Sequence, residues 1–456
     1  MNSLITNNKF LRYINSKIPP IYRRHYSYYE KTLDLISKAE QSGDEFIKEF
    51  QLNKINDLLN IAWQIPGYQK YWKNEDFNKK RLESLAEFTE LPVLKKSYIK
   101  AHREDFKPNQ PTYKTTRTGG STGSPFQSYE PIYLPRIELA FIHSIWKRFY
   151  DNIDLNTKAT ILRGAKIKGK SNFDPMKGLF LSSYQLTSDS ARDFIELIDK
   201  HKTPILHAYP SSLIQFVKYL KKLDKYPKHQ FSLIALGSEP ITKDQKKYLS
   251  DFFQAPIAHW YGQGEKVVLA GNRPDDQSLI IEKLYSITEL LNTEDKAIET
   301  GKEGRIIGTS LWNTTMPLLR YDTGDRGVSG KIWESNINQP ENLVAIKGRS
   351  HEFLVTKNQS LVPVTALTLS YRRFDEIKRV QFVQSMVGTA SILVELMPDS
   401  ENFDLTPLKE LLDDLLHNQV DVDIEVVPKI KPTESGKHVY LIQNLNLSSF
   451  KSETPA

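Results

Sequence analysis

The chain has 456 residues, 39% hydrophobic and 26% charged, which suits a globular protein of two or three domains and leaves no apolar run near the roughly 20 residues of a membrane span. Its 62 Lys and Arg exceed its 55 Asp and Glu by seven, in short mixed groups such as KKSYIKAHR and KDQKKY; this mild excess favours an anionic small substrate over nucleic acid as partner. Cysteine is absent, which excludes disulfides, cysteine-ligated zinc and any acyl-cysteine intermediate.

The N-terminal stretch MNSLITNNKFLRYINSKIPP has no sustained apolar core and no small-residue cleavage site, so no secretory signal is expected and a cytoplasmic location fits. Residues 1–100 are expected to be mainly helical, from the apolar spacing in TLDLISKAEQ and INDLLNIAWQI. Next comes TTRTGGSTGSPFQSYE, six residues of which, Thr118, Gly119, Gly120, Ser121, Thr122 and Gly123, stand together in a chain with only 21 glycines. Convergent backbone N–H groups and hydroxyls there could cradle phosphate oxygens, or the stretch could be a flexible linker. It is neither a Walker loop, since no Lys-Ser/Thr follows, nor a dinucleotide-type glycine pattern.

Pro135 precedes IELAFIHSIWKRFY, apolar nearly all round and therefore expected to be a buried helix. KATILRG, TPILHAY, SLIALGS and APIAHWYG read as buried strands, with SSLIQFVKYLKKL and TKDQKKYLSDFF as helices between them. This alternation predicts an α/β fold, a large layered domain with parallel strands over residues 1–348. From residue 349 to 456 a small α+β domain is expected. It would hold strands in KRVQFVQSMV and ASILVELMP around Gly388, a helix capped by Thr406 with Pro407 at its first position, and a strand in DVDIEVVP. Leu408, Leu411, Leu412, Leu415 and Leu416 would share one side of that helix.

Six segments in order change the weight of the glycine loop. They are the loop itself, LGSEPIT at 236–242, HWYGQGEKV at 259–267, the pair MPLLRYDTGDRG at 316–327 and IKGRSHEFLV at 346–355, and KIKPTESGKHVYLI at 429–442. Together they resemble the adenylate-forming superfamily of acyl-CoA synthetases and related ligases. NIAWQIPGYQKYW followed by LPVLKKSYIK narrows the resemblance to phenylacetate–CoA ligases and CapK-type proteins, over about residues 50–445.

The resemblance implies a role for each matching position. Thr118, Gly119, Gly120, Ser121, Thr122 and Gly123 would wrap the ATP phosphates. Gly237, Ser238, Glu239 and Pro240 would wall the adenine slot opposite a stacking Tyr261. Glu265 would hold Mg2+, a hard cation suited to one carboxylate and phosphate oxygens. Asp325 and Arg349 would bind the ribose. Lys437 would be the catalytic ammonium at the α-phosphorus, where negative charge builds in the transition state. His351 would be the hinge about which a mobile small domain turns. The family usually has Ser or Thr at the positions of Gly119 and Gly264, often Lys at Ser124, and Asp or Lys at His351. Each position also has a plain structural alternative: a core tyrosine, an Asx turn, or a solvated glutamate, lysine or histidine.

The activity so implied is MgATP-dependent formation of an acyl-adenylate, then acyl transfer to the thiol of coenzyme A. An amine, hydroxyl or carrier-protein acceptor, a non-catalytic nucleotide-binding homologue, and a kinase or nucleotidyltransferase are the alternatives. The acyl pocket is expected between helix 137–149 and the strand ends near His207, Tyr209, Ala235 and Trp260, whose large and aromatic members suit a flat or modest-sized acyl group over a long chain.

Overall fold

The computed structural model describes residues 18, 25–108, 113–117, 126–164, 169–333, 337, 339–349, 353–367, 374–398, 400, 402–416, 418–431 and 438–445. Helices Tyr26–Ser42, Asp44–Ala62 and Pro66–Asn74 form the N-terminal part. Pro66 opens the third, where its missing N–H lacks no partner. None of the described helices is long and apolar enough to cross a membrane.

The large domain is organised on a sheet of 13 strands among the described residues. Its parallel half places Gly178–Ser182, Ala159–Arg163, Ile205–Ala208, Leu233–Gly237 and Ile257–Gly262 side by side in that order. These strands occupy the four expected segments, with Gly178–Ser182 as an addition. All but the ends of Ile257–Gly262 are largely buried, because both faces are covered by helices. Helix Leu134–Lys147 covers one face, packing Ile137, Phe141, Ile145 and Trp146 on Ile161, Ala235, Ala258 and Trp260. Helices Ser188–His201, Pro210–Lys222 and Lys243–Phe253 cover the other, over Leu162, Leu206, Ile234 and Leu236.

Beyond Ile257–Gly262 the sheet continues antiparallel through Leu269–Arg273, Asp276–Ile281, Asn342–Arg349, Tyr321–Ser329 and Glu303–Ser310 to Ser286–Leu291. A separate hairpin, Lys114–Arg117 with Gln127–Glu130, brackets the glycine loop.

The small C-terminal domain holds a four-stranded sheet, Asp421–Val426, Thr389–Leu396, Ile377–Met386 and Leu441–Gln443. Helix Thr406–Leu415 packs Leu408 and Leu412 into it. Thr406 is the first helical residue and does not cap. The Asp404 carboxylate accepts from the Thr406 backbone N–H at 2.9 Å, because an Asx side chain two residues upstream reaches the open N–H groups of the first turn. Leu415 is 39% exposed, so the apolar side is narrower than the leucine spacing suggests. Leu412, 0% exposed, should lose about 2–5 kcal/mol of stability on Leu412→Ala, read by calorimetry of the full chain; a loss below about 1 kcal/mol would contradict this packing.

Helix Pro210–Lys222 docks the small domain. Lys218, 4% exposed, donates to the carbonyl oxygens of Phe374 at 2.9 Å and Ile377 at 2.7 Å. Burial pushes its ammonium down to about 8. Arg379 donates to Gln215 at 3.3 Å, and Met397 packs in the helix-side core.

Candidate active site

The strands that carry the motifs end on one edge of the sheet. Parallel strands all point the same way, so the loops after their C-terminal ends gather there. Leu233–Gly237 runs into a turn in which Ser238 is left-handed, with φ 71°. A Cβ on Gly237 would lie 2.6 Å from Cε2 of the Trp260 indole, so only glycine lets that ring lie against the strand.

Glu239, 8% exposed, spends its carboxylate inside the protein. It accepts from the Ser211 backbone N–H at 2.9 Å, in the first turn of Pro210–Lys222, where the helix dipole favours an anion. It also accepts from the His438 backbone N–H at 3.4 Å. His438 belongs to the small domain and directly follows Lys437. Its imidazole Nε2 lies 2.7 Å from the Val380 carbonyl oxygen, and burial pushes it down to about 4, so the ring is neutral.

Ile257–Gly262 carries Trp260 and Tyr261. Neighbouring side chains of a strand point to opposite faces, which sends Trp260 to the face covered by Leu134–Lys147 and Tyr261 toward the N-terminal core. The Tyr261 hydroxyl donates to Asp325 Oδ2 at 2.6 Å and accepts from Gln263 Nε2 at 2.6 Å. Burial first, and the Asp325 charge second, push Tyr261 well above its ordinary value. Gly324, with φ 76°, turns the chain so that Asp325 lies beside Tyr261, and the Thr323 hydroxyl accepts from the Asp325 N–H at 3.0 Å. The backbones of Asp325 and Arg349 pair across the antiparallel ladder; the Arg349 side chain lies outside the described residues.

Glu265, 6% exposed, accepts from Lys96 Nζ at 2.9 Å and from the Tyr321 hydroxyl at 3.2 Å. The Lys96 ammonium also lies 5.5 Å from the Phe126 ring centroid and 5.7 Å from that of Tyr321. No cluster of three or more metal-ligating side chains occurs among the described residues. A lone carboxylate still fits Mg2+, which keeps several waters and takes phosphate oxygens from its nucleotide. At Glu265 the cation would share or displace Lys96.

The next residue, Lys266, is left-handed at φ 57° and 8% exposed. It pairs with Glu130 at 2.9 Å and Glu138 at 3.4 Å, while Lys114 reaches Glu130 at 3.1 Å. A buried charge set of this kind is stable only when each member is paired. It ties both strands that flank the glycine loop to the turn presenting Glu265. Sequence reasoning assigned no role to Lys96, Lys114, Glu130, Glu138 or Lys266. Lys96 alone left a trace, as the terminal lysine of LPVLKK.

His207, Ala235 and Trp260 meet helix Leu134–Lys147, whereas Tyr209 lies just before helix Pro210–Lys222 and donates its backbone N–H to the Leu162 carbonyl oxygen at 3.4 Å. Ring centroids lie 5.7 Å apart for Trp146 and His207, 5.8 Å for Trp146 and Trp260, and 5.5 Å for His207 and Trp260. Burial, followed by the Arg163 charge, pushes His207 down to about 3. Behind it His143 Nδ1 lies 2.8 Å from the Tyr29 hydroxyl. Gly237, Ser238, Glu239, Pro240, Tyr261, Glu265 and Asp325 are thus gathered at adjoining strand ends. Thr118, Gly119, Gly120, Ser121, Thr122, Gly123, His351 and Lys437 lie outside the described residues.

Comparison with known proteins gives a consistent picture. The family described as the CapK C-terminal domain matches residues 354–444. Protein CapK of Staphylococcus aureus is 23% identical over 439 residues, 93% of this chain and 93% of the relative. Phenylacetate-coenzyme A ligase of Aromatoleum evansii is 22% identical over 358 residues, 73% of this chain and 76% of that one. Among solved structures, 2-hydroxyisobutyryl-CoA ligase in the postadenylation state superposes with a TM-score of 0.67 at 15% identity, covering 86% of this chain and 88% of the other. The anthranilate CoA ligase AuaEII in complex with anthranoyl-AMP gives a TM-score of 0.51 at 16% identity, over 71% of this chain and 65% of the other. Over most of its length the chain is thus similar to CapK and to phenylacetate-coenzyme A ligase, and it shares the fold of the acyl-CoA ligases.

Proposed function

We propose that the chain is an AMP-forming acid ligase, which joins a carboxylic acid to the α-phosphorus of ATP, releases pyrophosphate, and passes the acyl group to the coenzyme A thiol. The observation that carries this reading is the convergence at one sheet edge of the 237–240 turn, the Tyr261–Asp325 pair and Glu265, with the His438 backbone docked on Glu239. The similarity to phenylacetate-coenzyme A ligase supports the thiol acceptor. CapK covers more of the chain, 93% against 73%, which favours testing amine and hydroxyl acceptors beside coenzyme A.

In this reading adenine lies between the 237–240 turn and Tyr261, and Asp325 takes the ribose hydroxyls, with Arg349 approaching the same sugar. A carboxylate can accept from both hydroxyls at once. The loop 118–123 wraps the phosphates. Glu265 would hold Mg2+, which would supply neutralisation of the charge on the departing pyrophosphate. Lys437 places its ammonium where the substrate carboxylate meets the α-phosphoryl group, and stabilises the charge that builds there. His351, just past the proposed boundary at 348/349, is the hinge for the transfer step.

The test is acid-dependent exchange of labelled pyrophosphate into ATP across a panel of acids. ADP formation would point to a kinase, and tight ATP binding without exchange would point to a non-catalytic relative. Gly237→Ala drives a methyl into the Trp260 indole, so the acid's kcat/KM should fall by about tenfold to a hundredfold through misplacement. Unchanged acid kinetics in that variant would remove Trp260 from the pocket.

A further inference from the structure

Strand register sorts the side chains over the acyl side of the sheet into two rows. Ile161 pairs with Phe180 on one side and His207 on the other, His207 with Ala235, and Ala235 with Ala258. Two residues further along each strand, Arg163 pairs with Ser182, and Gly237 with Trp260. Residues two apart share a face, so Arg163 lies on the same face as His207, one row nearer the edge that gathers the nucleotide motifs, in the row of Ser182, Gly237 and Trp260.

The two rows differ in chemistry. The inner row holds the rings of Phe180 and His207, and His207 leans on Trp146 at 5.7 Å and on Trp260 of the outer row at 5.5 Å. The outer row holds Arg163, half-buried, its guanidinium 5.9 Å from the Phe180 ring centroid. Among the described residues no carboxylate lies within ion-pair distance of it. Glu239, which acts on Tyr209 from the neighbouring turn, is occupied by the backbones of Ser211 and His438. The other titratable groups on this side, His207, His143 and Tyr209, are neutral at ordinary pH, the histidines pushed down and the tyrosine pushed up by burial. A cation partly withdrawn from water without an anion is a site seeking one, and the guanidinium fork matches a carboxylate through two parallel hydrogen bonds.

We propose that Arg163 is a specificity-determining residue, and that the acid activated here is a short dicarboxylic acid whose far carboxylate it binds. This rests on the acid-activating reading above and refines it. Two strand spacings, about 10 Å, separate the strand of Arg163 from that of Gly237. An arginine side chain and a short aliphatic diacid can bridge that span together, with the reacting carboxylate left at the nucleotide edge.

The experiment compares matched acids in pyrophosphate exchange: succinate with butyrate, glutarate with pentanoate, and phenylacetate as an aromatic control. The wild type should favour each diacid over its monoacid by about a hundredfold or more in kcat/KM, since a site that leaves its own buried polar group unpaired rejects the analogue. In Arg163→Met the ratio should fall to near one, and Arg163→Lys should restore part of it; thermal melting verifies that both variants fold. A wild-type preference for the monoacids or phenylacetate, or an unchanged ratio in Arg163→Met, overturns the proposal and leaves acid activation standing. If no acid supports exchange, acid activation falls, and calorimetric titration of glutarate decides Arg163 separately. Binding that Arg163→Met abolishes supports the anion site; absent binding, or equal binding to both proteins, overturns it.

Discussion

Lys437→Ala should lower the rate of acid-dependent pyrophosphate exchange by about a hundredfold or more, the usual scale for losing one preorganised transition-state donor. The KM for ATP should move little, because the ammonium meets its full complement of charge only as the carboxylate attacks the α-phosphoryl group. Lys437 follows a glycine in the small-domain segment KIKPTESGKHVYLI. The next residue, His438, sets its backbone N–H 3.4 Å from Glu239, in the turn that ends the Leu233–Gly237 strand. The chain therefore enters the large-domain site one residue after the lysine. Exchange at the wild-type rate in the variant would remove Lys437 from the chemistry, whatever the protein binds.

The second large effect is expected at Asp325. In the proposed reading its carboxylate serves two ribose hydroxyls, and hydrogen bonds to a charged group contribute about 1.5–3 kcal/mol each. Asp325→Ala should therefore raise the KM for ATP by about a hundredfold or more, with a smaller fall in kcat. Part of the loss is local. Tyr261 donates to Asp325 Oδ2 at 2.6 Å, and without that acceptor the ring is held only by Gln263 and packing. Tyr261→Phe separates the two contributions, since it removes the hydroxyl and keeps the ring; its KM should rise only a few-fold. Equal effects in the two variants would mean that Asp325 acts by holding the tyrosine and not by binding the sugar.

The sequence showed some parts of this protein and concealed others for identifiable reasons. The parallel strands and the buried helix Leu134–Lys147 were legible because burial on both faces leaves continuous apolar runs, a local signal. The antiparallel half from Leu269 to Arg349 was not, although it supplies Asp325. Its strands mix buried polar and glycine positions such as Thr288, Glu289, Gly304 and Gly308, and register shifts interrupt Tyr321–Ser329. Neither period survives such irregularity. At the small-domain helix, Thr406 looked like the cap, but Asp404 holds the cap's partner, because the chosen residue depends on where the backbone turns.

What the amino-acid order determined by itself was the set and succession of motifs, the α/β class and the change of character before the small domain. Each depends on residues a few positions apart. Only the folded chain decided which of them touch. Lys218 reaches a carbonyl 156 residues away, and Glu239 meets a backbone N–H 199 residues away. Lys96 sits on Glu265, and Arg163 shares a face with His207. Charge pairs and orphaned cations arise from such closures, where strand register and helix packing bring distant side chains into a medium too poor in water to screen them.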